Sequence, residues 1–162
     1  MTVPAIEVVL QSASNVDEIP DVGEFERWIG VAVSAARSGP AQVGVRVVDE
    51  AESAGLNQRF RQREGATNVL SFPFETPPGA EDAGLEAMLG DLVICAPVVI
   101  REAGAQGKPV RAHWAHMAVH GTLHLLGYDH IDPRQAREME ALEIDVLAAM
   151  GYADPYLEHE NG

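Results

Sequence analysis

Three histidines and one glycine fix the path of this chain between residues 120 and 130, where it reads His120-Gly-Thr-Leu-His124-Leu-Leu-Gly127-Tyr-Asp-His130. Residues four apart in an α-helix lie on one face, offset by only about 40° around the axis. His120 and His124 can therefore present two imidazole nitrogens to one point. Gly127 falls where that helix should end, because glycine readily takes the left-handed conformation that reverses a chain. The reversal would let His130 swing back as a third donor. Three protein nitrogens at about 2.0–2.1 Å from a zinc ion leave one tetrahedral position open to water, the arrangement of a catalytic rather than a structural zinc. With 6 histidines in 162 residues, random placement gives this spacing about 0.008 times per chain, so accident is a poor explanation.

The rest of the chain supplies a frame for such a helix. Ala5 to Leu10 is short and rich in β-branched residues, which predicts a strand. Residues 20–38 place Val22, Phe25, Trp28, Ile29, Ala32 and Val33 at helical spacing, and Gly39-Pro40 stops the run. Val43 to Val48 reads as a second strand, 49–63 as a helix with Leu56 and Phe60 four apart, and Thr67 to Phe74 as a third strand. Pro73 cannot donate to a ladder, which places that strand at an edge. Residues 75–87 read as an exposed loop, Leu89 to Ala96 as a fourth strand, and 97–105, 110–126 and 133–150 as helices. No repeat and no linker interrupts this order, so one domain over residues 1–162 is expected. The predicted fold class is α+β: a small mixed four-stranded sheet with helices packed over one face, and the metal site on a late helix and its following turn.

Composition narrows the partners. There are 11 basic against 25 acidic residues, a formal net charge of −14, which repels a phosphate backbone at long range and argues against a DNA-coating or membrane-surface protein. A local basic patch can still hold nucleic acid, and Arg59, Arg61 and Arg63 form the densest one. Cys95 is the only cysteine, which excludes an intramolecular disulfide and a cysteine-built metal cluster. Met1 to Leu10 carries no basic n-region and includes Glu7, so it does not read as a signal peptide. The apolar stretch Leu92 to Ile100 is too short to span a bilayer. The cytoplasm is the default location.

The histidine spacing matches the zinc-protease pattern H-E-x-x-H-x-x-G-x-x-H at every position but one. In those proteases the glutamate is the general base. Gly121 stands there in this chain and has no side chain to move a proton, which disfavours that mechanism. Of the remaining residues, Arg61 can grip a phosphate bidentately, while Arg59 and Arg63 read as a solvated helix face. His116 reads as a hydrogen-bonded core histidine, His113 and His159 as surface residues, and Asp129 as either a partner to an imidazole or a turn cap. Trp28, Trp114, Phe60, Phe72 and Phe74 read as core, Cys95 as a small buried hydrophobe, and the acidic stretch from Glu138 to Asp145 as a solvated face.

With Ala115-His116 before it, the run from His120 to His130 resembles the signature of the YbeY family of bacterial endoribonucleases. Leu56-Asn57, Phe60-Arg61, Thr67-Asn-Val-Leu-Ser-Phe-Pro-Phe74, Leu89-Gly-Asp-Leu-Val-Ile94 and Glu138-Met-Glu-Ala-Leu-Glu143 follow in the family's order. Gln62-Arg63-Glu64 departs from the Gly-Lys-Asp type of turn usual there. The resemblance implies an α+β fold, one metal ion per chain (usually zinc), and hydrolysis of single-stranded RNA. It further implies ribosomal RNA as substrate, notably at the 16S 3′ end, a part in ribosome quality control, and the small ribosomal subunit or its proteins as partners. Carried over by position, His120, His124 and His130 are the metal ligands and Arg61 is the functional arginine. Two other readings stand beside it: a non-catalytic ribosome-assembly factor with a structural metal, and a peptide or amide hydrolase whose base lies outside the motif.

Overall fold

Two parallel strands need a crossover between them, usually a helix, and the first third of the chain supplies one. In the computed structural model, which describes residues 6–80, 84–129 and 131–157, β1 (Ile6–Ser12) leads through α1 (Val22–Ala36) to β2 (Ala41–Val48). Then come α2 (Glu50–Arg61), β3 (Val69–Pro73), β4 (Met88–Cys95), α3 (Ala96–Gln106), α4 (Val110–Leu125) and α5 (Pro133–Ala149). The strands lie in the order β1-β2-β4-β3. β1, β2 and β4 run parallel, and β3 pairs antiparallel with β4, giving the mixed α+β sheet expected. No helix among the described residues is long and apolar enough to cross a membrane.

Alternation along the strands sends Val43, Val45, Val47, Leu92 and Ile94 to one face, where they meet Phe25, Trp28 and Ile29 of α1 and Trp114, Ala118 and Leu123 of α4. The Phe25 ring packs edge-to-face on Trp28 of its own helix at 5.5 Å and on Trp114 of α4 at 6.1 Å, the second contact tying the two helices together. The helices do not all lie on that face. Val48, Leu70, Val93, Cys95 and Val98 form a smaller cluster on the opposite side, against which Leu56 of α2 packs. The reason is local: β2 and β4 end in Val47-Val48 and Val93-Ile94-Cys95, apolar on both sides, so both sides need cover. Phe60 departs from the sequence reading too, being 46% exposed beside a half-buried Phe72.

α4 is hydrophobic nearly all round because it is wedged between the sheet and helices α1, α3 and α5. Asp132 caps α5, its carboxylate accepting from the Arg134 backbone N–H at 2.8 Å, with Pro133 in the first turn.

β3 is an edge strand, as Pro73 requires, and its free edge is partly occupied. The ladder bonds from Cys95 N to Asn68 O and from Phe74 N to Leu89 O, both 2.9 Å, turn the even-numbered residues toward β4. Val69, Ser71 and Pro73 therefore face outward. The Asn68 side chain accepts from Val69 N at 2.7 Å, Arg61 donates to Ser71 O at 2.7 Å, and Pro73 has no N–H to offer.

Candidate metal centre

The orientation of α4 is set by the residue with no side chain. A Cβ built at Gly121 would lie 2.8 Å from Leu92 Cδ2, 3.2 Å from Val69 Cγ2 and 3.3 Å from Ser71 Oγ. Position 121 is pressed onto β3 and β4, and the Ser71 hydroxyl donates to the Gly121 carbonyl at 3.1 Å. The stripe formed by His113, His116, His120 and His124 consequently points to other neighbours. At the far end the helix reverses at Gly127, whose φ is 99°, and Tyr128 N donates back to Leu123 O at 3.0 Å.

His120 and His124 are brought together. Their Nε2 atoms stand 3.2 Å apart and the rings are 4.7 Å apart at an interplanar angle of 78°. Two nitrogens about 2.05 Å from one cation, at the tetrahedral angle, would be separated by about 3.3 Å. The pair therefore fits a shared divalent ion. His130 lies outside the described residues.

Behind this pair sits Glu143, a carboxylate with no exposure at all. One oxygen is 2.9 Å from His120 Nδ1; the other is 2.7 Å from His116 Nε2 and accepts from the Tyr156 hydroxyl at 2.5 Å. His116 is buried and hydrogen-bonded, as the sequence indicated. Glu143 is not on a solvated face: Glu138 and Glu140 are exposed, but Glu143 takes its place among Met139, Val146 and Leu147 on the buried stripe of α5. That spacing of three and four was the available signal for it. His116, His120 and Glu143 also offer three ligand-type atoms within 4.8 Å of one another, a second candidate grouping that shares His120. Its contacts of 2.7 and 2.9 Å are hydrogen-bond distances.

Burial pushes the Glu143 carboxyl up, but hydrogen bonds from His116, His120 and Tyr156 outweigh it and hold the group at about 2. Burial and the same carboxylate push the Tyr156 hydroxyl up. The linkage has a definite sign. A carboxyl more acidic in the folded state than its ordinary 4.5 contributes stability that is complete above the unfolded value and lost as pH falls toward the folded one. Metal-free protein is expected to show a thermal midpoint that drops steadily from about pH 5 to pH 2, and Glu143→Gln is expected to flatten that slope. Circular dichroism melts across this range check both.

His113 is a correction to the sequence reading: it is 2% exposed rather than on the surface, with Nε2 2.9 Å from Glu102. Burial lowers its pKa against the raising effect of Glu102. It lines a cleft of about 650 Å³ together with Glu102, Lys108, His116, His120 and Tyr156. Asp129 caps its turn by accepting from Ile131 N at 3.2 Å. Arg61 ends α2, exposed, with its guanidinium carbon 5.4 Å from the Phe72 ring centre. Through Ser71 it is two hydrogen bonds from the Gly121 carbonyl and so from the residue next to His120. Arg59 and Arg63 are exposed.

The family model described as Endoribonuclease YbeY matches residues 11–151 of this chain. Among solved structures, the solution structure of TM1509 from Thermotoga maritima (VT1, a NESGC target protein) is similar with a TM-score of 0.55 and 22% identity. That match covers 94% of this chain and 99% of the other. At such identity the likeness speaks for the fold.

Proposed function

This chain belongs to the YbeY endoribonuclease family, and on that premise we propose that it cleaves single-stranded RNA at a metal centre built from His120, His124 and His130. The family acts in ribosomal RNA processing; the proposed substrate is the 16S precursor at its 3′ end, with a part in ribosome quality control. The proposed setting is the cytoplasm, on the small ribosomal subunit. The observation that supports this best is the 3.2 Å approach of the His120 and His124 Nε2 atoms, the separation that two ligands of one tetrahedral ion adopt. When bound, the ion, zinc in this reading, supplies a Lewis acid that polarises the phosphodiester and makes hydroxide available near neutral pH.

The chain's own residues do the rest. His120 and His124 fix where the scissile phosphate must sit, on the exposed side of α4. Arg61 is assigned to the phosphate. Its guanidinium carries five N–H donors, more than the Ser71 and Phe60 carbonyls engage, so it can meet an anion while remaining anchored. Neutralising charge that develops on the phosphate is the contribution such groups make. Arg61→Ala is expected to lower cleavage about 100–1,000-fold while leaving metal content and melting temperature close to those of the parent. Unchanged cleavage would remove Arg61 from the machinery.

Peptide hydrolysis is the weaker reading. A peptide that adds to a sheet needs free main-chain groups along an edge, and on the outward edge of β3 the Val69 N–H and the Ser71 carbonyl are already engaged and Pro73 has no N–H. The scaffold reading draws on the net charge of −14, which suits docking to basic protein. One experiment separates the nuclease from the scaffold: incubation of purified protein with single-stranded RNA carrying a 16S 3′ precursor sequence, before and after chelation and zinc add-back. Cleavage lost on chelation and restored by zinc supports the nuclease. Cleavage that survives full metal removal overturns this mechanism, and a chelator effect on melting with no cleavage in either state favours the scaffold.

A further inference from the structure

We infer that Glu143 positions His120 by fixing its tautomer and ring direction, and that it is not itself a metal ligand. The inference rests on the reading that His120 and His124 share a cation. A neutral imidazole has one N–H and one lone pair, and whichever nitrogen keeps the proton cannot bind a metal. An ionised carboxylate only accepts. With the Glu143 oxygen 2.9 Å from His120 Nδ1, the proton belongs on Nδ1 and the lone pair on Nε2. Nε2 is the atom that faces His124 at 3.2 Å.

Two features make the arrangement specific. Glu143 is fully buried, so water cannot take its place beside the ring. Its second oxygen is occupied by His116 at 2.7 Å and Tyr156 at 2.5 Å, which prevents the carboxylate from turning away from His120. Contacts from α4 and from the segment that follows α5 thus converge on one group of α5. The spacing argues against ligation. The two histidine contacts to Glu143, 2.7 and 2.9 Å, are hydrogen-bond distances, and His120 meets Glu143 through Nδ1, not through the Nε2 that faces His124. Carboxylate partners of metal-binding histidines play this orienting role in general, and losing one costs about 10–100-fold in metal affinity.

The test uses the full chain, 15N-labelled and metal-free, with imidazole tautomers read by long-range proton–nitrogen NMR correlation. Wild-type His120 is expected as the Nδ1–H tautomer. Finding it as Nε2–H overturns the inference with no variant needed. In Glu143→Gln the tautomers are expected to mix, because an amide can donate as well as accept. Zinc affinity, measured by competition with a chromophoric chelator, is expected to fall about 10–100-fold, with a single ion per chain still bound at saturation. The visible bands of the cobalt-substituted variant are expected at the wild-type positions. An altered cobalt spectrum with a changed donor number would make Glu143 a ligand and end the inference. Wild-type zinc affinity in both Glu143→Gln and Glu143→Ala would end it as well. None of these measurements uses RNA, so a failure to cleave RNA bears on the proposed function and leaves this result intact.

Discussion

Gly121→Glu, the substitution that would complete the protease-type spacing, is expected to unfold the protein and not to create a base. The first side-chain carbon would already lie 2.8 Å from Leu92 Cδ2 and 3.2 Å from Val69 Cγ2. Even Gly121→Ala sets a helix-propensity gain of about 1 kcal/mol against an overpacking cost of about 1–3 kcal/mol, a modest net loss. Glutamate adds a carboxylate with no partner on the apolar side of the sheet, a penalty of several kcal/mol more. Together these approach the whole stability of an ordinary domain, about 5–15 kcal/mol. Denaturant titration of both variants measures the effect. A soluble Gly121→Glu protein with parental stability would contradict the packing of α4 on β3 and β4.

His120→Ala and His124→Ala should both abolish metal loading and lower RNA cleavage by more than about 1,000-fold, since each removes a ligand and not merely a partner of one. They should differ in stability. Removing His120 also strips Glu143 of a donor inside a fully buried site, at a cost of about 1–3 kcal/mol. Removing His124 leaves all three contacts to Glu143 in place. Elemental analysis, cleavage assays and melting curves of the two apo-proteins read these effects separately. Parental metal content in His120→Ala would overturn the proposed centre, and equal stability would contradict the Glu143 network.

Most of the local structure was legible because it is written in local terms. The β-branched runs, the apolar spacing of Phe25, Trp28, Ile29 and Val33, the stop at Gly39-Pro40 and the reversal at Gly127 each act within a few residues. The edge position of β3 followed from Pro73 alone. What escaped was set by packing between distant segments. Whether Glu143 faces water depends on where α4 lies, and His113 is buried by Glu102 on α3, eleven residues earlier in the chain. Phe60 failed in the opposite sense: its spacing from Leu56 is helical, but α2 covers only one end of the sheet and leaves that ring exposed. Gly121 could be seen to lack a base, yet the reason it must be glycine appears only once Leu92 and Val69 press against it.

The partly occupied margin of β3 has a consequence for how this molecule behaves in company. Strand-by-strand polymerisation starts when one chain's margin offers main-chain donors and acceptors to another. Here an amide, a guanidinium and an imino acid occupy the positions where that contact would begin. Pairing along this side of the sheet is thus discouraged at the three positions named, and a visiting strand of nucleic acid meets the Asn68 and Arg61 side chains there.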